Sequence, residues 1–298
     1  MASVILYGGN GWIGSQLSLL LSNDSRVSIL YVSDIRVEEV EKVCDEMDRI
    51  QPTHVICCIG RTHGVYEGKI IPTIDYLEKP GKLNDNVRDN LSAPITLANL
   101  CQKRNIHMTY LGTGCIFEYD DIHDHTVGFK ESDVPNFFGS SYSIVKGHTD
   151  QLMRLFPVLN VRIRMPITSE SNPRDFITKI VGYERICSVA NSMTVLDELL
   201  PLMVDMAITK RIGTINLVNP GTITHEEVLS LYREYVDPTK TWKTMTYEEQ
   251  NQLLASKRSN NMLDTSLLES WYQVTDIHTA VKNALQKRGA KVFTSILS

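Results

Sequence analysis

The chain of 298 residues lacks several features that would assign it to a common functional class. No apolar run approaches the roughly 20 residues that a membrane-spanning helix needs, and Met1-Ala2-Ser3 leads into an apolar segment without room for a secretory signal. The net charge is −5, so no basic surface for nucleic acid is indicated. These absences predict a cytoplasmic protein with neither a membrane nor a nucleic-acid partner.

The cysteines and histidines form no metal-binding pattern. The six cysteines are scattered, Cys57 and Cys58 lie in an apolar segment, and no CxxC or His/Cys ligand spacing occurs. The run His123-Asp124-His125 has metal-ligand residue types, but a solvated loop is the simpler interpretation. The sequence therefore predicts free thiols in a reducing compartment and no structural metal.

The first twenty residues have the pattern of a dinucleotide-binding turn. Ser3–Tyr7 is a short apolar run, Gly8, Gly11 and Gly14 follow at GxxGxxG spacing, and leucines at helical spacing come next. Glycines at these places permit a tight turn and a close approach of the backbone to a pyrophosphate, which the helix N-terminus then binds. A glycine turn without a ligand is the alternative, and the position directly after a strand favours the nucleotide.

Predicted strands and helices alternate along the chain. The predicted strands are Val27–Val32, His54–Ile59, His107–Leu111, Leu159–Arg164 and Ile215–Val218, and the predicted helices are Val37–Arg49, Asn84–Lys103, Ser141–Leu155, Asp175–Gly182 and His225–Tyr235. This alternation predicts an α/β fold with a doubly wound parallel sheet of the Rossmann type. We expect a dinucleotide-binding domain at 1–166 and a smaller, mainly substrate-binding portion at 167–298, with some segments returning to the first domain.

Two local patterns give further expectations. Leu159, Val161 and Ile163 alternate with polar residues, which predicts a strand with one buried and one exposed face. The residues after Tyr235 form a polar C-terminal stretch.

Ligands bind at the carboxyl ends of parallel strands, so the glycine turn, Gly60 and Thr113, which all follow strands, are expected to converge on one crevice.

Tyr142 and Lys146 are four residues apart, so in a helix their side chains share one face. A nearby ammonium lowers the pKa of a phenol, which lets Tyr142 exchange a proton with an alcohol or carbonyl oxygen near neutral pH. Thr113 can share that hydrogen bond, and Cys115 adds an acid/base group that plain redox chemistry does not need. The Tyr–Lys spacing is common on solvated helix faces, but together with the glycine turn it favours carbonyl redox chemistry.

These motifs resemble those of extended short-chain dehydrogenases/reductases that act on nucleotide sugars. The chain is most similar to the nucleotide-rhamnose synthase epimerase/reductases of plants and giant viruses. The segments that carry this resemblance are Gly11–Gly14, Thr113–Asp120, Pro135–Phe137, Arg162–Ile167, Asn172–Ile180, Asn191–Pro201 and Arg258–Asn261. Arg61–Lys82 departs from the family pattern through what looks like an insertion.

The resemblance implies a two-part reaction on UDP-4-keto-6-deoxy-glucose. Carbons 3 and 5 are epimerised, and C4 is then reduced with NADPH, or alternatively NADH, to give UDP-L-rhamnose. Thr113 and Tyr142 stabilise the enolate oxygen, and Cys115 is the acid/base group on one face. Asp175 and Lys179 lie in the region of the opposing group, of which Lys179 is favoured. Without the resemblance, a core cysteine and a solvated lysine would be the simpler interpretations.

The resemblance also assigns cofactor and substrate contacts. The expected cofactor-binding residues are Gly8, Gly11, Trp12, Ile13, Gly14, Arg36, Gly60, Tyr142 and Lys146, and the expected substrate-binding residues are Asn136, Asn191, Thr194 and Arg258. Arg258 is expected to pair with the diphosphate, because a bidentate guanidinium suits phosphate oxygens. Asp34 lies where an acid binds the ribose of NAD, whereas Ser33 and Arg36 can hold the 2′-phosphate of NADP.

Three alternative functions on this scaffold can be compared with the residues at and after Thr113. A 4,6-dehydratase of this scaffold carries Asp-Glu directly after the threonine, where this chain has Gly114-Cys115. A 4-keto reductase alone has no use for Cys115, and a non-enzymatic cofactor-binding regulatory subunit does not need an intact Tyr142 and Lys146.

The helices Asn84–Lys103 and Ser141–Leu155 carry apolar residues on more than one face, and the resemblance implies that they form a homodimer through a four-helix bundle.

Overall fold

A computed structural model describes residues 1–297, with side chains through Lys291. The chain divides into two compact units whose segments alternate along the sequence. Unit 1 comprises 1–116, 134–162 and 201–215, and unit 2 comprises 117–133, 163–200 and 216–298. Each unit contains residues from both sides of the boundary predicted at residue 166, so that boundary stays a proposal.

The centre of unit 1 is a six-stranded parallel sheet, which confirms the predicted fold class. Its strands, in sheet order, are β11 (Gly213–Asn216), β7 (Val158–Ile163), β6 (His107–Thr113), β3 (His54–Cys57), β1 (Ala2–Tyr7) and β2 (Val27–Ser33). All six residues of β1 are buried, as expected for a parallel strand covered on both faces. The strand order reverses beside β1, and the carboxyl ends there form the crevice in which this fold class binds ligands.

The helices of unit 1 pack on this sheet. They are α1 (Trp12–Ser22), α2 (Val40–Ile50), α3 (Leu83–Val87), a π-helical segment (Arg88–Ser92), α4 (Ala93–Lys103) and α5 (Ser141–Met153). Buried side chains of α2, α4 and α5 form one core with β1, β3 and β6. The predicted helix Asn84–Lys103 is therefore three consecutive helical segments. A hairpin of β4 (Gly64–Tyr66) and β5 (Lys69–Ile71), followed by a 3₁₀ helix (Ile74–Glu78), fills the unpredicted region between β3 and α3.

The prediction that β7 has an exposed polar face is wrong. Asn160 and Arg162 are 1% and 0% exposed, although both are polar. Arg162 donates to both carboxylate oxygens of Asp150 on α5, at 2.8 and 2.7 Å, and Asn160 donates to the same carboxylate at 2.7 Å. A buried charge is tolerated when it is paired and hydrogen-bonded. Asp150 lies outside the strand, on α5, and supplies that pairing.

Unit 2 contains short sheets and a helical core. Its strands are β8 (Pro166–Ile167), β9 (Arg185–Cys187), β10 (Thr194–Val195) and β12 (Lys243–Met245), paired as β8/β10 and β9/β12. Its helices are α6 (Phe176–Val181), α8 (His225–Tyr235), α9 (Tyr247–Leu253), α10 (Ser266–Trp271) and α11 (Ile277–Leu297), while α7 (Leu196–Ile208) runs along the chain from unit 2 into unit 1. The apolar faces of α6, α8 and α11 pack together into one core.

The C-terminal stretch, for which the sequence predicts only a polar character, is largely helical. Ile277, Ala280, Val281, Ala284 and Leu285 of α11 are all buried. Their spacing is that of one helix face, but two of the five are alanines, so the apolar signal is weak. Within the described residues no helix is long and apolar enough to cross a bilayer. The same part of the chain holds no group of three or more His, Cys, Asp or Glu side chains suited to a metal ion.

The first prediction concerns acid stability. His54 and His107 are neighbours at the start of β3 and β6, and burial lowers the pKa of each from 6.5 to about 4. The unfolded chain therefore binds more protons than the folded chain between these values, so the free energy of unfolding should fall as the pH is lowered from 6.5 to about 4. Urea denaturation across this range measures the slope. His107→Gln should reduce the slope, and the same change at the exposed His148 should not; equal slopes in both variants would contradict this origin.

Candidate active site

The glycine turn after β1 forms a cradle that only glycine fits. Gly8 has φ +78°, and a Cβ there would lie 2.9 Å from the carbonyl carbon of Cys58. A Cβ at Gly14 would lie 2.2 Å from the carbonyl oxygen of Gly8. Gly11 begins α1 without a side-chain cap, and no acidic residue lies in the first turn. The backbone N–H groups at this helix end, with Trp12 and Ile13 in the first turn, suit a pyrophosphate.

The residues after β2 divide between the core and the surface. Ser33 is buried and donates a hydrogen bond to Glu46 at 3.0 Å, so its hydroxyl points inward. Asp34 is exposed and accepts a hydrogen bond from Asn10 at 2.7 Å. Arg36 is 53% exposed, and carboxylates of Glu38 and Asp89 lie 3.5 and 3.6 Å away. Arg36 is therefore placed to reach an anion beside the carboxyl end of β2.

The π-helical segment holds the loop that follows β3. Asn90 in this segment is 1% exposed, accepts a hydrogen bond from the Arg61 N–H at 3.0 Å and donates to the Arg61 carbonyl at 2.9 Å. A Cβ at Gly60 would approach the Asn90 side-chain oxygen to 3.2 Å. π-helical turns are frequent at functional sites. Nothing in the local sequence pattern indicates this turn, so Asn90 is a positioning residue that the sequence analysis missed.

The structure brings Thr113, Cys115 and Tyr142 together at the end of β6 and the start of α5. The Thr113 hydroxyl accepts a hydrogen bond from the Cys115 N–H at 3.0 Å, and Ser143 on α5 donates to the Cys115 carbonyl at 2.7 Å. Tyr142 is 9% exposed and packs in a cluster against which Cys115 lies. Burial is the main reason that the pKa of Tyr142 is raised, Cys115 raises it further, and the hydrogen bond with Thr113 lowers it.

Lys146 is buried next to a tyrosine that the sequence analysis did not predict. Its ammonium is within hydrogen-bond distance of the Tyr110 hydroxyl on β6 and lies 4.6 Å from the centre of that ring. Burial lowers the pKa of Lys146 to about 8, and Asp150 is among the groups that oppose this shift. We predicted that Lys146 lowers the pKa of Tyr142, but in this structure burial dominates and the pKa of Tyr142 is raised.

Two hydrogen-bonded caps fix the start of α5 and therefore the position of Tyr142. Ser140 is the N-cap and accepts a hydrogen bond from the Ser143 N–H at 3.0 Å. Glu78, at the end of the 3₁₀ helix, accepts from both the N–H and the hydroxyl of Ser141, at 2.8 and 2.9 Å. A carboxylate at a helix N-terminus is favourable for hydrogen bonding and for the helix dipole. Glu78 is 63 residues from Ser141 in sequence, so no local pattern predicts this contact.

In unit 2, Asp175 and Lys179 have different surroundings. Asp175 is fully buried, caps α6 through the Thr178 N–H at 2.7 Å, and forms an ion pair with Arg288 at 3.0 Å. Its other oxygen accepts from the Thr168 N–H at 3.0 Å. Both carboxylate oxygens are thus engaged, which assigns Asp175 a structural role. Lys179 is partly buried, and burial is the main cause that lowers its pKa.

The predicted substrate residues Asn191 and Thr194 lie in a buried network around Arg164. Asn191 accepts a hydrogen bond from Arg164 at 2.6 Å, and the Thr194 hydroxyl accepts one from the Arg164 N–H at 3.0 Å. Both side chains are 0% exposed. Arg164 also donates to the Ser259 carbonyl at 3.0 Å, which ties Asn191 to the loop that carries Arg258. This geometry indicates that Asn191 and Thr194 support the loop that carries Arg258.

Arg258 and Asn136 lie at partly exposed positions in different units. The guanidinium of Arg258 donates to the carbonyl oxygen of Ser256 at 2.9 Å and contacts the Ser256 hydroxyl. The Arg258 carbonyl accepts from the Tyr247 hydroxyl at 3.3 Å. The Asn136 N–H donates to the Ile116 carbonyl at 3.2 Å, which holds that loop beside the end of β6. Unit 1 therefore assembles the predicted redox and thiol groups, and unit 2 holds Lys179 and Arg258.

Comparison with known proteins gives five long alignments, two of them with relatives of similar length. The chain is 50% identical over 287 residues to a protein of Acanthamoeba polyphaga mimivirus, covering 95% of this chain and 97% of the relative. It is 39% identical over 270 residues to the bifunctional dTDP-4-dehydrorhamnose 3,5-epimerase/dTDP-4-dehydrorhamnose reductase of Arabidopsis thaliana, covering 89% and 86%. The chain belongs to this epimerase/reductase family. No family model matches the chain.

Solved structures agree with membership of the epimerase/reductase family. The crystal structure of the UDP-rhamnose synthase from the same virus has a TM-score of 0.90 at 50% identity and covers 96% of this chain and 99% of that chain. A dTDP-4-dehydrorhamnose reductase from Bacillus anthracis in complex with NADP has a TM-score of 0.74 at 18% identity, covering 95% and 98%. The second likeness shows the fold alone.

The second prediction tests the cap on α5. Glu78→Ala removes the acceptor of two hydrogen bonds from Ser141, so the free energy of unfolding should fall by about 1–2 kcal/mol. Glu78→Gln keeps one acceptor oxygen and should lose less. Urea denaturation of both variants beside the parent measures the difference. Equal stability of Glu78→Ala and the parent would show that this contact does not hold the start of α5.

Proposed function

We propose that this chain is a bifunctional 3,5-epimerase/4-reductase that converts UDP-4-keto-6-deoxy-D-glucose to UDP-L-rhamnose with NADPH. The observation that carries the proposal is the position of Cys115, whose backbone is hydrogen-bonded to Thr113 and to α5 beside Tyr142. A reductase needs the threonine, tyrosine and lysine. A thiol held beside them supplies the additional acid/base group that epimerisation needs.

The glycine cradle supports a nicotinamide cofactor. Side chains at Gly8 and Gly14 would collide with backbone atoms, and the uncapped N-terminus of α1 offers its N–H groups to a pyrophosphate. Gly8, Gly11, Trp12, Ile13, Gly14 and Gly60 would hold the dinucleotide. Arg36 favours NADPH over NADH because its guanidinium can pair with a 2′-phosphate, while Asp34 is held by Asn10.

For the reduction, we assign the proton to Tyr142 and the electrostatic support to Lys146. A reduced nicotinamide held in the cradle would supply the hydride to C4. Tyr142 donates its phenol proton to the C4 oxygen, and the Thr113 hydroxyl stabilises the negative charge that develops on Tyr142 or on that oxygen. Lys146 is held by Tyr110, so a positive charge stays close to the reacting groups without being exposed to water.

For the epimerisation, inversion at C3 and C5 requires a base on one face of the sugar and an acid on the other. The C4 ketone makes the neighbouring C–H bonds acidic when Thr113 and Tyr142 hydrogen-bond the enolate oxygen. Cys115 removes the proton from one face. We assign proton return to Lys179, because its pKa is lowered by burial and because the carboxylate of Asp175 is already engaged.

The remaining substrate contacts follow the same division. Arg258 is proposed to pair with the diphosphate, and Asn136 to contact the sugar or the uridine. Asn191 and Thr194 are proposed to act on substrate binding by supporting the Arg258 loop through Arg164.

A 4-keto reductase alone is the second candidate, since the groups around Tyr142 suffice for it. All six cysteines are free, which is typical of a reducing compartment, so we propose a cytoplasmic location.

The third prediction concerns reduction. Tyr142→Phe removes the proton donor to the C4 oxygen while the ring and Lys146 remain. NADPH oxidation in the presence of UDP-4-keto-6-deoxy-glucose should fall by roughly 10²-fold or more, the scale of a lost general acid. Absorbance of NADPH reports the rate. Turnover near the parent rate would assign the proton to another group.

The fourth prediction separates the bifunctional enzyme from a reductase. Cys115→Ala removes one small side chain, so NADPH binding should persist while deuterium exchange at C3, C5 or both is lost in deuterated water. Lys179→Met should give a related defect at one or both carbons. NMR of the sugar protons reads each position separately. If Cys115→Ala exchanges both positions and forms UDP-L-rhamnose at the parent rate, the thiol has no part in the epimerisation.

The fifth prediction concerns assembly. Ile144, Leu152 and Leu155 are apolar residues on or just after α5 that are 37%, 37% and 74% exposed. We propose that this surface and the helix before β6 form an isologous homodimer interface. Light scattering should give a dimer mass, and Leu152→Glu should shift it toward a monomer. A monomer mass for the parent across working concentrations would contradict the proposal.

A further inference from the structure

The β4–β5 hairpin and the 3₁₀ helix pack directly against the proposed reacting groups. Tyr76 and Leu77 form a buried cluster with Tyr142, and the partly buried residues packed against this cluster are Tyr66, Ile71, Ile74 and Cys115. Every member belongs to unit 1. The hairpin and the 3₁₀ helix therefore supply apolar surroundings for the proposed catalytic phenol and thiol.

The hairpin has two apolar faces with different exposure. Gly64 pairs with Ile71, and Val65 pairs with Ile70. Val65 and Ile70 are 59% and 76% exposed, whereas Ile71 packs on the Tyr142 cluster. Neighbouring strand residues point to opposite faces, so Ile70 and Ile71 form a matched pair in which only Ile71 faces the site.

The 3₁₀ helix is held firmly enough to act as a fixed wall. A Cβ at Gly64 would lie 2.5 Å from the Tyr76 ring, so the hairpin backbone lies directly against this ring. The Tyr76 hydroxyl donates to Asp85 at 2.7 Å, and Glu78 accepts from Ser141 next to Tyr142. These contacts hold the partly buried Ile71 and Ile74 at the edge of the cluster that contains Tyr142.

We propose that Tyr66, Ile71 and Ile74 receive the C6 methyl group of the sugar and so select a 6-deoxy substrate. This inference rests on the proposed function. With the C4 oxygen at Tyr142 and the C5 proton at Cys115, the C6 carbon, which is bonded to C5, lies beside both residues. The methyl group is the only apolar substituent of the 4-keto-6-deoxy ring, and the hairpin and the 3₁₀ helix present apolar side chains there.

The apolar side chains of Ile71 and Ile74 determine how strongly the enzyme should prefer a 6-deoxy substrate over its 6-hydroxy analogue. A hydroxyl at C6 would be desolvated against the Ile71 and Ile74 side chains, which offer it no hydrogen-bond partner. An apolar pocket rejects an analogue with an added hydroxyl by up to about 10²-fold. The parent enzyme should therefore prefer UDP-4-keto-6-deoxy-glucose over UDP-4-keto-glucose in kcat/KM by roughly 10- to 100-fold.

The experiment measures that preference in the parent and three variants. Ile71→Thr and Ile74→Thr place a hydroxyl in the wall, and Ile70→Thr makes the same change on the exposed face. NADPH oxidation is followed with each of the two substrates, and the ratio of the two kcat/KM values is compared. This ratio is independent of the fraction of active enzyme, so partial unfolding of a variant does not alter it.

The preference should fall several-fold or more in Ile71→Thr and Ile74→Thr and stay at the parent value in Ile70→Thr. A parent that shows no preference for the 6-deoxy substrate, or the same ratio in Ile71→Thr, Ile74→Thr and Ile70→Thr, would overturn the inference and leave the proposed function standing. A parent that oxidises NADPH with neither substrate would overturn both.

Discussion

The buried ammonium of Lys146 is the constraint on which the candidate site depends. Burying a charge is costly unless other groups compensate, and Tyr110 and Asp150 provide this compensation. Tyr110 belongs to β6, the strand that ends at Thr113, and Asp150 belongs to the same helix as Tyr142 and Lys146. The strand and the helix are thus joined electrostatically behind the reacting groups. This contact joins the strand that ends at Thr113 to the helix that carries Tyr142.

Parts distant in sequence complete this arrangement. Glu78 caps the helix that carries Tyr142, and Asn90 fixes the loop after β3 beside the glycine cradle. Asp150 also neutralises Arg162 on β7, which allows a strand with polar residues to lie inside the sheet. In unit 2 the buried Arg164 donates a hydrogen bond to the Ser259 carbonyl and so holds the loop that carries Arg258. In both units, hydrogen bonds from buried polar groups position the loops that carry candidate functional residues.

The sequence predicts the parts of the fold and site that are encoded locally. The glycine turn and the i, i+4 spacing of Tyr142 and Lys146 are defined by neighbouring residues, and the structure has the turn directly after β1 and both side chains on α5. The contacts of Glu78 with Ser141, of Tyr110 with Lys146 and of Asp150 with Arg162 depend on tertiary structure, and no local pattern encodes them. For the same reason β7 was assigned an exposed face, since the pairing of Arg162 with Asp150 is visible only in the folded chain.

The pH dependence of kcat/KM for NADPH tests most directly whether the buried, charged Lys146 organises the site. This quantity reports the ionisation of groups in the free enzyme. It should fall as the pH rises above about 8, where the Lys146 ammonium loses its proton. Tyr110→Phe removes the acceptor that stabilises the charge, so the same fall should begin at lower pH. A profile that stays flat well above this pH in the parent, and is unchanged in Tyr110→Phe, would contradict the account.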